Sequence, residues 1–441
     1  MTKYYFIKTY GCQMNVHESE KLAGMLESLG YAEANEMEKA DVIVFNTCSI
    51  RDGCEQKVFG NVGSLKHLKK SKPNLVIAMC GCLTQIKGRP EMITKKFPYV
   101  NIIFGTHNLH EFKHYLETFE RTHKNIVDVW DKEGEICEDT EITRTSGYNA
   151  WVNINFGCNN FCTYCIVPYV RGRERSREMK DIVKEVECLV KQGYKTITLL
   201  GQNVNSYGND VDNPNVTFAN LLKEICKLDG DFKIKFMTSH PKDLSSEVID
   251  TIANEPKLAK VIHLPVQSGN NKILKKMNRN YTREHYLDLI HEIRSKIPNA
   301  ILSTDIIVGF PSETEEEFMD TYTLMQEVRY DGVFAFMFSP RTGTPAERME
   351  NQIDSKVKNE RVNRLLKLTK QITKEKTKEM LNNVYEIILT AKCDGGYTAE
   401  TLSGKNVVIH TDKEYPLLSF HNAKIINVNT KVLEAQIIWY K

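Results

Sequence analysis

The sequence lacks the features that would place it in a membrane or mark it for export. Its start, Met1 to Lys8, has no long apolar core of the kind that a signal peptide needs, and no run of about 18 apolar residues marks a membrane span. Net charge is also nearly absent, since 59 basic side chains face 57 acidic ones and leave +2. We therefore expect a cytoplasmic protein without membrane contact, in which any binding of a polyanion depends on a local surface.

Length and cysteine content set the next limits. A chain of 441 residues is too long for one compact core and predicts two or three domains. Apolar residues at 41% and charged residues at 26% are ordinary for a globular protein. In a chain with no export signal, the 12 cysteines are expected to be reduced thiols and metal ligands rather than a disulfide framework.

Three of those cysteines lie on one short stretch. Cys158, Cys162 and Cys165 have the spacing C-x3-C-x2-C. Three thiolates on one loop can bind three irons of a four-iron cluster and leave the fourth iron open to a substrate or cofactor. The alternatives are a zinc site and three structural cysteines. A zinc ion would need a fourth ligand, and no other Cys or His lies close by in the sequence.

The residues around this loop resemble those of a known family. With Tyr164 before the last Cys, the loop is similar to the signature of the radical S-adenosylmethionine (SAM) enzymes, and residues 166–177 resemble the methylthiotransferase branch of that family. The resemblance implies that Cys158, Cys162 and Cys165 bind a catalytic [4Fe-4S] cluster whose open iron chelates SAM. It also implies that Tyr164 contacts the cofactor and that an electron from the cluster cleaves SAM to a 5′-deoxyadenosyl radical.

Residues 1–120 alternate strand and helix patterns, which is typical of an open parallel α/β sheet. Ligands bind such sheets in the crevice beyond the carboxyl ends of the strands. The predicted strands are residues 4–10, 41–45, 75–79 and 102–104, and the predicted helices are residues 18–29, 55–70 and 110–119.

Three more cysteines follow successive predicted strands of this sheet. Cys12, Cys48 and Cys82 come after the first, second and third strands, so they converge on one sheet edge and predict a second metal cluster. Any one of them alone would be read as a small buried residue. Cys80 competes with Cys82, because residues two apart on a strand face the same side. The remaining cysteines, which are interpreted as structural or neutral, are Cys54, Cys137, Cys188, Cys226 and Cys393.

The surrounding residues again match the methylthiotransferases. Residues 10–15, 46–51 and 81–85 resemble the three cysteine motifs of the family's N-terminal domain, which binds an auxiliary [4Fe-4S] cluster. That pattern places the ligand in a Gly-Cys step and so selects Cys82 over Cys80. The resemblance therefore implies two clusters per chain, the auxiliary one held by Cys12, Cys48 and Cys82.

A polar segment, residues 121–148, is predicted to be a linker. Residues 149–351 then resume the alternation with six apolar runs separated by helical patterns, which predicts a partial (β/α)6 TIM-like barrel whose active residues lie at the carboxyl ends of the strands. Polar clusters follow the strands and are expected to line this mouth, with His240 and His263 as hydrogen-bonded barrel histidines. By resemblance to the family, SAM contacts are expected at Gly201, Gln202, Ser239, Gln267 and Asp305.

The last part of the chain contains the most basic segment. Residues 352–381 predict one long helix, in which Lys356 to Lys378 include nine Lys or Arg against two Glu, a balance of +7. Such a run is either a solvated face or a phosphate-binding surface. Arg171, Arg173, Arg175 and Arg177 form a second candidate. Residues 382–441 predict short strands of a small OB-like barrel that resembles the TRAM domain, an RNA-binding module.

Taken with its cofactors, the resemblance implies a reaction. A hydrogen on carbon 2 of adenine is not acidic, so a general base cannot remove it, whereas a carbon radical can. The motifs resemble the branch that adds a methylthio group to isopentenylated adenosine beside the anticodon of tRNA, a base in a single-stranded loop. The expected partners are the tRNA anticodon loop and a flavodoxin or ferredoxin as electron donor, acting on a monomer. The alternatives are another acceptor, namely threonylcarbamoyladenosine or ribosomal protein S12, and a non-catalytic iron-sulfur RNA-binding protein.

Overall fold

The structure is a computed structural model that describes residues 2–49, 53–132, 134, 136, 141–429 and 432–438. Ile50 and Arg51 of the second cysteine motif, Cys137, parts of the predicted linker and the last residues lie outside the described residues. In the described part of the chain no helix is long and apolar enough to cross a membrane.

The N-terminal domain is built from ten helices and strands that alternate along the chain. The apolar positions of the strands are almost all buried, as a sheet covered by helices on both faces requires. These elements are β1 (Lys3–Thr9), α1 (Gln13–Ser28), β2 (Tyr31–Glu33), β3 (Val42–Thr47), α2 (Cys54–Ser71), β4 (Val76–Gly81), α3 (Arg89–Lys96), β5 (Ile102–Phe104), α4 (Phe112–Thr122) and β6 (Ile126–Asp128).

All strands of this sheet are parallel, in the order β2-β1-β3-β4-β5-β6. The predicted open parallel sheet is therefore confirmed. Three elements escaped the sequence analysis: β2, α3 and β6. The sheet runs on to residue 128 and so includes a strand from the segment that was predicted to be a linker.

The end of the predicted linker is not a free connection. The Thr143 N–H donates to the Glu20 carbonyl at 3.1 Å, and a Cβ added to Gly24 would lie 2.3 Å from the Glu141 carbonyl oxygen, so this segment lies directly on α1. Polar groups of this segment are paired with α1, since the Thr145 N–H and hydroxyl also donate to Glu20.

The central domain follows from residue 149. It contains β7 (Asn149–Asn153), β8 (Asn155–Phe156), α5 (Val167–Val170), β9 (Arg175–Ser176), α6 (Met179–Lys191), β10 (Thr196–Leu200), α7 (Phe218–Cys226), β11 (Lys233–Phe236), α8 (Ser246–Asn254), β12 (Val261–His263), α9 (Asn271–Lys276), α10 (Arg283–Lys296), β13 (Ile301–Val308), α11 (Glu315–Val328) and β14 (Gly332–Met337).

Six of these strands form the wall of the predicted partial barrel, which is confirmed. They pair in parallel as β11-β10-β7 and β12-β13-β14, and a bridge between Ile234 and Leu258 joins the halves. β13 shows the strand period directly, with alternate residues buried against the helices. α11 begins with a capping box between Thr314 and Glu317, which satisfies the first free N–H groups of the helix.

The chain ends with α12 (Ser355–Glu379) and the strands β15 (Val384–Cys393), β16 (Gly396–Thr401), β17 (Asn406–His410), β18 (Phe420–Val428) and β19 (Leu433–Ile437). The five strands close into a barrel in the order β15-β16-β17-β19-β18, as the OB-like prediction requires.

This small barrel packs on the start of the central strands, opposite the cysteine loop. Lys233, the first residue of β11, forms an ion pair with Glu386 at 2.7 Å, and the Tyr148 hydroxyl donates to Glu400 at 3.1 Å just before β7. The mouth of the central barrel is therefore left to the N-terminal domain.

Candidate active site

The radical SAM cysteine loop is held closed by the two-residue ladder between β8 and β9. Gly157 begins the loop with a φ of +72°, and a Cβ there would lie 2.0 Å from the Arg173 carbonyl oxygen, so only glycine fits. The Cys158 N–H donates to the Gly172 carbonyl at 3.2 Å and the Cys165 N–H donates to that of Cys162 at 2.9 Å. The three thiols thus project from one tight turn.

Residues from the far side of the barrel fix this loop. The Thr163 N–H donates to the Met277 carbonyl at 3.0 Å, and the Asn278 amide donates to the carbonyls of Asn160 and Phe161 at 3.1 Å each. Arg279 follows directly. Its Nη1–H donates to the Cys162 sulfur at 3.5 Å from a side chain that is 4% exposed.

Burial governs the chemistry of these thiols. It raises the pKa of Cys158 to about 11 and that of Cys165 to about 12. Metal binding to buried thiols therefore releases their protons. Among the described residues, no three His, Cys, Asp or Glu side chains converge on a single metal ion.

The second set of thiols lies where β1, β3 and β4 end. Cys12 caps the start of α1, and Cys48 and Cys82 come directly after β3 and β4. Gly11 has a φ of +118°, and a Cβ on it would lie 2.9 Å from the Cys48 sulfur. Cys12 and Cys48 are therefore neighbours, as the sequence analysis expected.

Two asparagines of the motifs tie these strand ends together. The Asn15 amide donates to Asn46 Oδ1 and to the Thr47 carbonyl, both at 3.1 Å, while the Asn46 amide donates back to the Asn15 carbonyl at 2.8 Å. Both asparagines lie in the cysteine motifs, at residues 10–15 and 46–51, and the sequence analysis gave neither a role. Their buried amides hold the Cys12 and Cys48 loops together.

The structure also separates Cys80 from Cys82. Cys80 packs into the core beneath α1, whereas Cys82 contacts the central domain. Gly81 between them has a φ of +94°, and a Cβ there would lie 2.3 Å from the Thr47 carbonyl oxygen. The regular strand ends at Gly81, and the two thiols on either side of it pack in different apolar clusters.

The two sets of thiols meet at the domain interface. Cys82 packs in one apolar cluster with Ile166 and Val170, and Ile166 directly follows Cys165. A hydrogen bond from Thr106 Oγ1 to the Val170 carbonyl at 2.6 Å secures the contact. Burial raises the pKa of Cys82 to about 12, and the nearby Cys48 and Cys12 thiols add to the shift.

A cleft lies in the same interface. It is a small cleft of about 70 Å³ that opens to solvent, with Ser49, the neighbour of Cys48, on one side and Ile166 on the other. Ile86 and Pro340 add apolar wall, and the remaining wall is polar or charged, with Glu55, Arg89, Arg341 and Thr342. The cleft thus lies beside residues that adjoin the two sets of thiols.

The barrel mouth contains buried polar atoms that lack a partner within the described residues. They include Ser239 Oγ, His240 Nε2, Asn203 Oδ1 and both amide atoms of Asn205. An unpaired buried polar atom costs about 1–3 kcal/mol. Such a cluster fits a polar ligand such as SAM. The sequence analysis did not single out Asn203 and Asn205, because neutral amides in a polar turn form no distinctive sequence pattern.

The predicted SAM contacts are placed around this mouth. Gly201 has no room for a side chain, because a Cβ would lie 1.9 Å from Asn155 Oδ1. Gln267 has a φ of +68°, a strained backbone of the kind found at functional sites. Asp305 faces the barrel interior, 3.6 Å from His263 Nε2.

Two predicted contacts have further neighbours. Tyr164 packs against an apolar cluster that includes Met277 and Phe310, and the Gln202 amide donates to the Met14 sulfur of the N-terminal domain. Gln202 therefore also joins the domains. His240 accepts a hydrogen bond from the Lys242 N–H at 3.2 Å, and burial lowers its pKa to about 2, so it stays neutral.

Two of the four arginines after the loop, Arg171 and Arg177, are buried, whereas Arg173 is exposed and Arg175 is half-buried. Arg171 is 4% exposed and pairs with Glu18, while Arg177 is 8% exposed and pairs with Glu185 at 2.8 Å. Their regular spacing suggested a phosphate-binding strip. Both side chains instead point into the protein, because β9 turns this segment back across the barrel.

Two family models match the chain. The Radical SAM superfamily covers residues 152–325 and Uncharacterized protein family UPF0004 covers residues 4–105. The tRNA-2-methylthio-N(6)-dimethylallyladenosine synthase of Clostridium botulinum (strain Langeland) is 51% identical over 97% of this chain and 95% of its own length. The protein of that name from Clostridium perfringens (strain 13) is 50% identical over 98% and 96%.

Solved structures agree on the fold. The radical S-adenosylmethionine methyltransferase from Kitasatospora setae aligns over 79% of this chain and 75% of its own, with a TM-score of 0.57 and 12% identity. At this identity the similarity concerns the fold alone.

The fold and the matched models define the class as a radical SAM domain joined to a UPF0004 domain. On the identity with its full-length relatives, the chain belongs to the family of tRNA-2-methylthio-N(6)-dimethylallyladenosine synthases.

Proposed function

We propose that this chain catalyses methylthiolation at carbon 2 of N6-isopentenyladenosine beside the anticodon of tRNA, giving 2-methylthio-N6-isopentenyladenosine. The observation that carries the proposal is the packing of Cys82 against Ile166, which brings the two sets of thiols to one interface. A sulfur donor and a radical source must be close to the same carbon atom, and this contact supports such an arrangement.

The cofactors are two [4Fe-4S] clusters and SAM. When bound, they supply the radical that activates the base and the sulfur and methyl group that are added to it. We assign the first cluster to Cys158, Cys162 and Cys165 and the auxiliary cluster to Cys12, Cys48 and Cys82. For SAM the proposed contacts, supported by the buried unpaired atoms of the mouth, are Tyr164, Gly201, Gln202, Ser239, Gln267 and Asp305.

The substrate base is proposed to enter the cleft between the domains. An isopentenyl group is apolar and suits Ile86 and Ile166, while Ser49 and Thr342 offer polar atoms to the edge of the base. The base comes from a single-stranded loop, so extruding it costs little stacking energy.

We further propose that tRNA contacts α12. Four of its nine basic side chains bond to other parts of the protein. Lys358 donates to the Phe338 carbonyl, Arg361 pairs with Glu313, Arg364 pairs with Glu315, and Lys376 pairs with Asp331. The other five are exposed and, at 100° per residue, fall within a sector of about 80° opposite the buried face. They are Lys356, Lys367, Lys370, Lys374 and Lys378.

The exposed lysines lie along a helix that connects the mouth of the central barrel to the small C-terminal barrel. Lys358 reaches Phe338 at the carboxyl end of β14, and Lys376 reaches Asp331 just before that strand begins. α12 therefore runs from the barrel mouth to the small C-terminal barrel, and 25 residues span about 37 Å. Exposed lysines along this length support contact with phosphates on one arm of the tRNA.

The remaining assignments are also proposals. A flavodoxin or ferredoxin supplies electrons, and the enzyme works as a cytoplasmic monomer without membrane contact. The functional units are the auxiliary-cluster domain, the radical SAM core at 149–351, the basic helix and the TRAM-like domain at 382–441, with the first unit extended to residue 128 by β6.

The test is an anaerobic assay of the reconstituted protein with SAM and a reductant. Substrates are tRNA bearing N6-isopentenyladenosine, tRNA bearing threonylcarbamoyladenosine, and ribosomal protein S12. We expect mass spectrometry to detect a methylthio group on the first substrate only. Modification of S12 alone would overturn the proposed acceptor, and the absence of 5′-deoxyadenosine in every assay would overturn the enzymatic function.

A further inference from the structure

Arg171 is a buried cation beside the auxiliary thiols. It ends α5, with its N–H donating to the Val167 carbonyl at 2.8 Å, and it is 4% exposed. Its neighbour Val170 packs on Cys82. The guanidinium therefore enters the interface where the N-terminal sheet presents its thiols.

Only part of the guanidinium is satisfied. Its two Nη groups bind the two carboxylate oxygens of Glu18, the second at 3.2 Å, and thereby fix the plane of the group. Its buried Nε–H has no acceptor within the described residues. A buried charged donor without an acceptor is costly, so this N–H indicates a group that the protein alone does not provide.

The electrostatics point to an anion. Arg171 lies near the sulfurs of Cys82 and Cys12, and the preceding residue Val170 packs on Cys82. Thiolates bound to a four-iron cluster are anionic as a unit and gain negative charge on reduction. Glu18 adds a further negative charge nearby, and Arg171 compensates it through the ion pair.

We propose that Arg171 contacts the cluster of the auxiliary site by donating its Nε–H to a cluster sulfur, while Glu18 holds the guanidinium in place. The inference rests on the proposed assignment of that cluster to Cys12, Cys48 and Cys82. The radical SAM loop offers a parallel, since Arg279 is equally buried and donates to the Cys162 sulfur at 3.5 Å.

A hydrogen bond to a cluster stabilises its reduced form and so raises its reduction potential, and Arg171 also cancels the charge of Glu18, which would oppose reduction. Removing both effects in Arg171→Met should shift the one-electron equilibrium against reduction by at least about tenfold, which is about 59 mV. Arg171→Lys keeps the charge without the planar donor and should give an intermediate shift.

The measurement is a redox titration followed by electron paramagnetic resonance. It uses the full chain carrying Cys158→Ala, Cys162→Ala and Cys165→Ala, so that only the auxiliary site binds iron. The matched control is Arg361→Met, which breaks another buried pair, with Glu313 at 2.8 Å, and should leave the potential unchanged. If Arg171→Met does not retain iron, the double variant with Glu18→Gln replaces it, because no buried carboxylate is then left unpaired. The net charge of the pair is unchanged in this double variant, so a lowered potential there reports the loss of the Nε–H hydrogen bond.

An unchanged potential in an Arg171 variant that retains its cluster would overturn the inference alone. A parent chain that binds no iron without the three loop cysteines would overturn the auxiliary-cluster assignment, and the inference with it. A lowered potential in both Arg171→Met and Arg361→Met would also contradict it, because the effect would then follow from any broken buried pair.

Discussion

At the scale of single residues, glycines decide whether the thiols can face a cluster. Gly157, Gly81 and Gly11 all have positive φ, and each stands where a Cβ would meet backbone or a thiol at less than 3 Å. The sequence analysis identified the cysteines but attributed no geometry to the glycines next to them. That geometry depends on strands brought together from distant parts of the chain, so local patterns do not reveal it.

We predict that Gly157→Ala weakens binding of the first cluster, because the added Cβ meets the Arg173 carbonyl and the backbone strain costs about 1–3 kcal/mol. Iron content and 5′-deoxyadenosine formation after reconstitution measure the effect, and both should fall. Gly60→Ala is the control, since Gly60 lies inside α2 with nothing within 4 Å of an added Cβ. Equal iron content in the two variants would contradict the prediction.

His17 provides a residue-scale test of the domain contact. It is buried, accepts a hydrogen bond from Arg144 Nη1 at 3.2 Å and lies 3.4 Å from Glu20. Burial lowers its pKa from 6.5 to about 4. Its contribution to stability is therefore complete above pH 6.5 and is lost as the pH falls toward 4.

Between pH 7 and pH 5 this loss should reach about 2 kcal/mol, because the unfolded chain takes up a proton that the folded chain excludes. Thermal unfolding at both pH values should show a smaller decrease in His17→Gln than in the wild-type protein. His67→Gln changes an exposed histidine on α2 and serves as the control. A wild-type decrease retained in full by His17→Gln would contradict the assignment.

At the scale of elements, length decided what the sequence could predict. Long periodic segments such as β13 and α12 were found close to their observed bounds. β2 and β6 have three residues each, too few to show a period of two, and their pairing comes from the neighbouring strand. The positive charge of α12 could be read from the sequence. Which of its basic side chains are paired and which are exposed could not, because that depends on the acidic residues next to β14 and α11 that pack against the helix.

The lysine face of α12 predicts a change in salt dependence. Replacing Lys367, Lys370 and Lys374 with Gln should lower the slope of log K against log salt for tRNA binding by about two to three, if each contacts a phosphate. The rate at saturating tRNA should stay unchanged. The matched control replaces three exposed lysines of the outer barrel helices, Lys191, Lys223 and Lys227. Equal slopes for the two triple variants would remove α12 from the tRNA interface.

At the scale of the whole molecule, each domain occupies a different position around the candidate site. The N-terminal sheet presents one set of thiols at its carboxyl edge, the partial barrel presents the other at its mouth, and the C-terminal barrel occupies the opposite end. Resemblance to the family gave this division from the sequence. The contacts that join the domains, such as Arg171 with Glu18 and Gln202 with Met14, could not be predicted because each links residues more than 150 positions apart.

The central claim is that the two sets of thiols have separate tasks at one interface. The most direct measurement compares Cys48→Ala with Cys158→Ala in an anaerobic reaction with SAM, reductant and isopentenylated tRNA, and quantifies 5′-deoxyadenosine and the methylthio nucleoside by mass spectrometry. We predict that Cys158→Ala forms neither product, whereas Cys48→Ala still forms 5′-deoxyadenosine but no methylthio nucleoside. Formation of the methylthio nucleoside by Cys48→Ala, or loss of 5′-deoxyadenosine in both variants, would contradict the account.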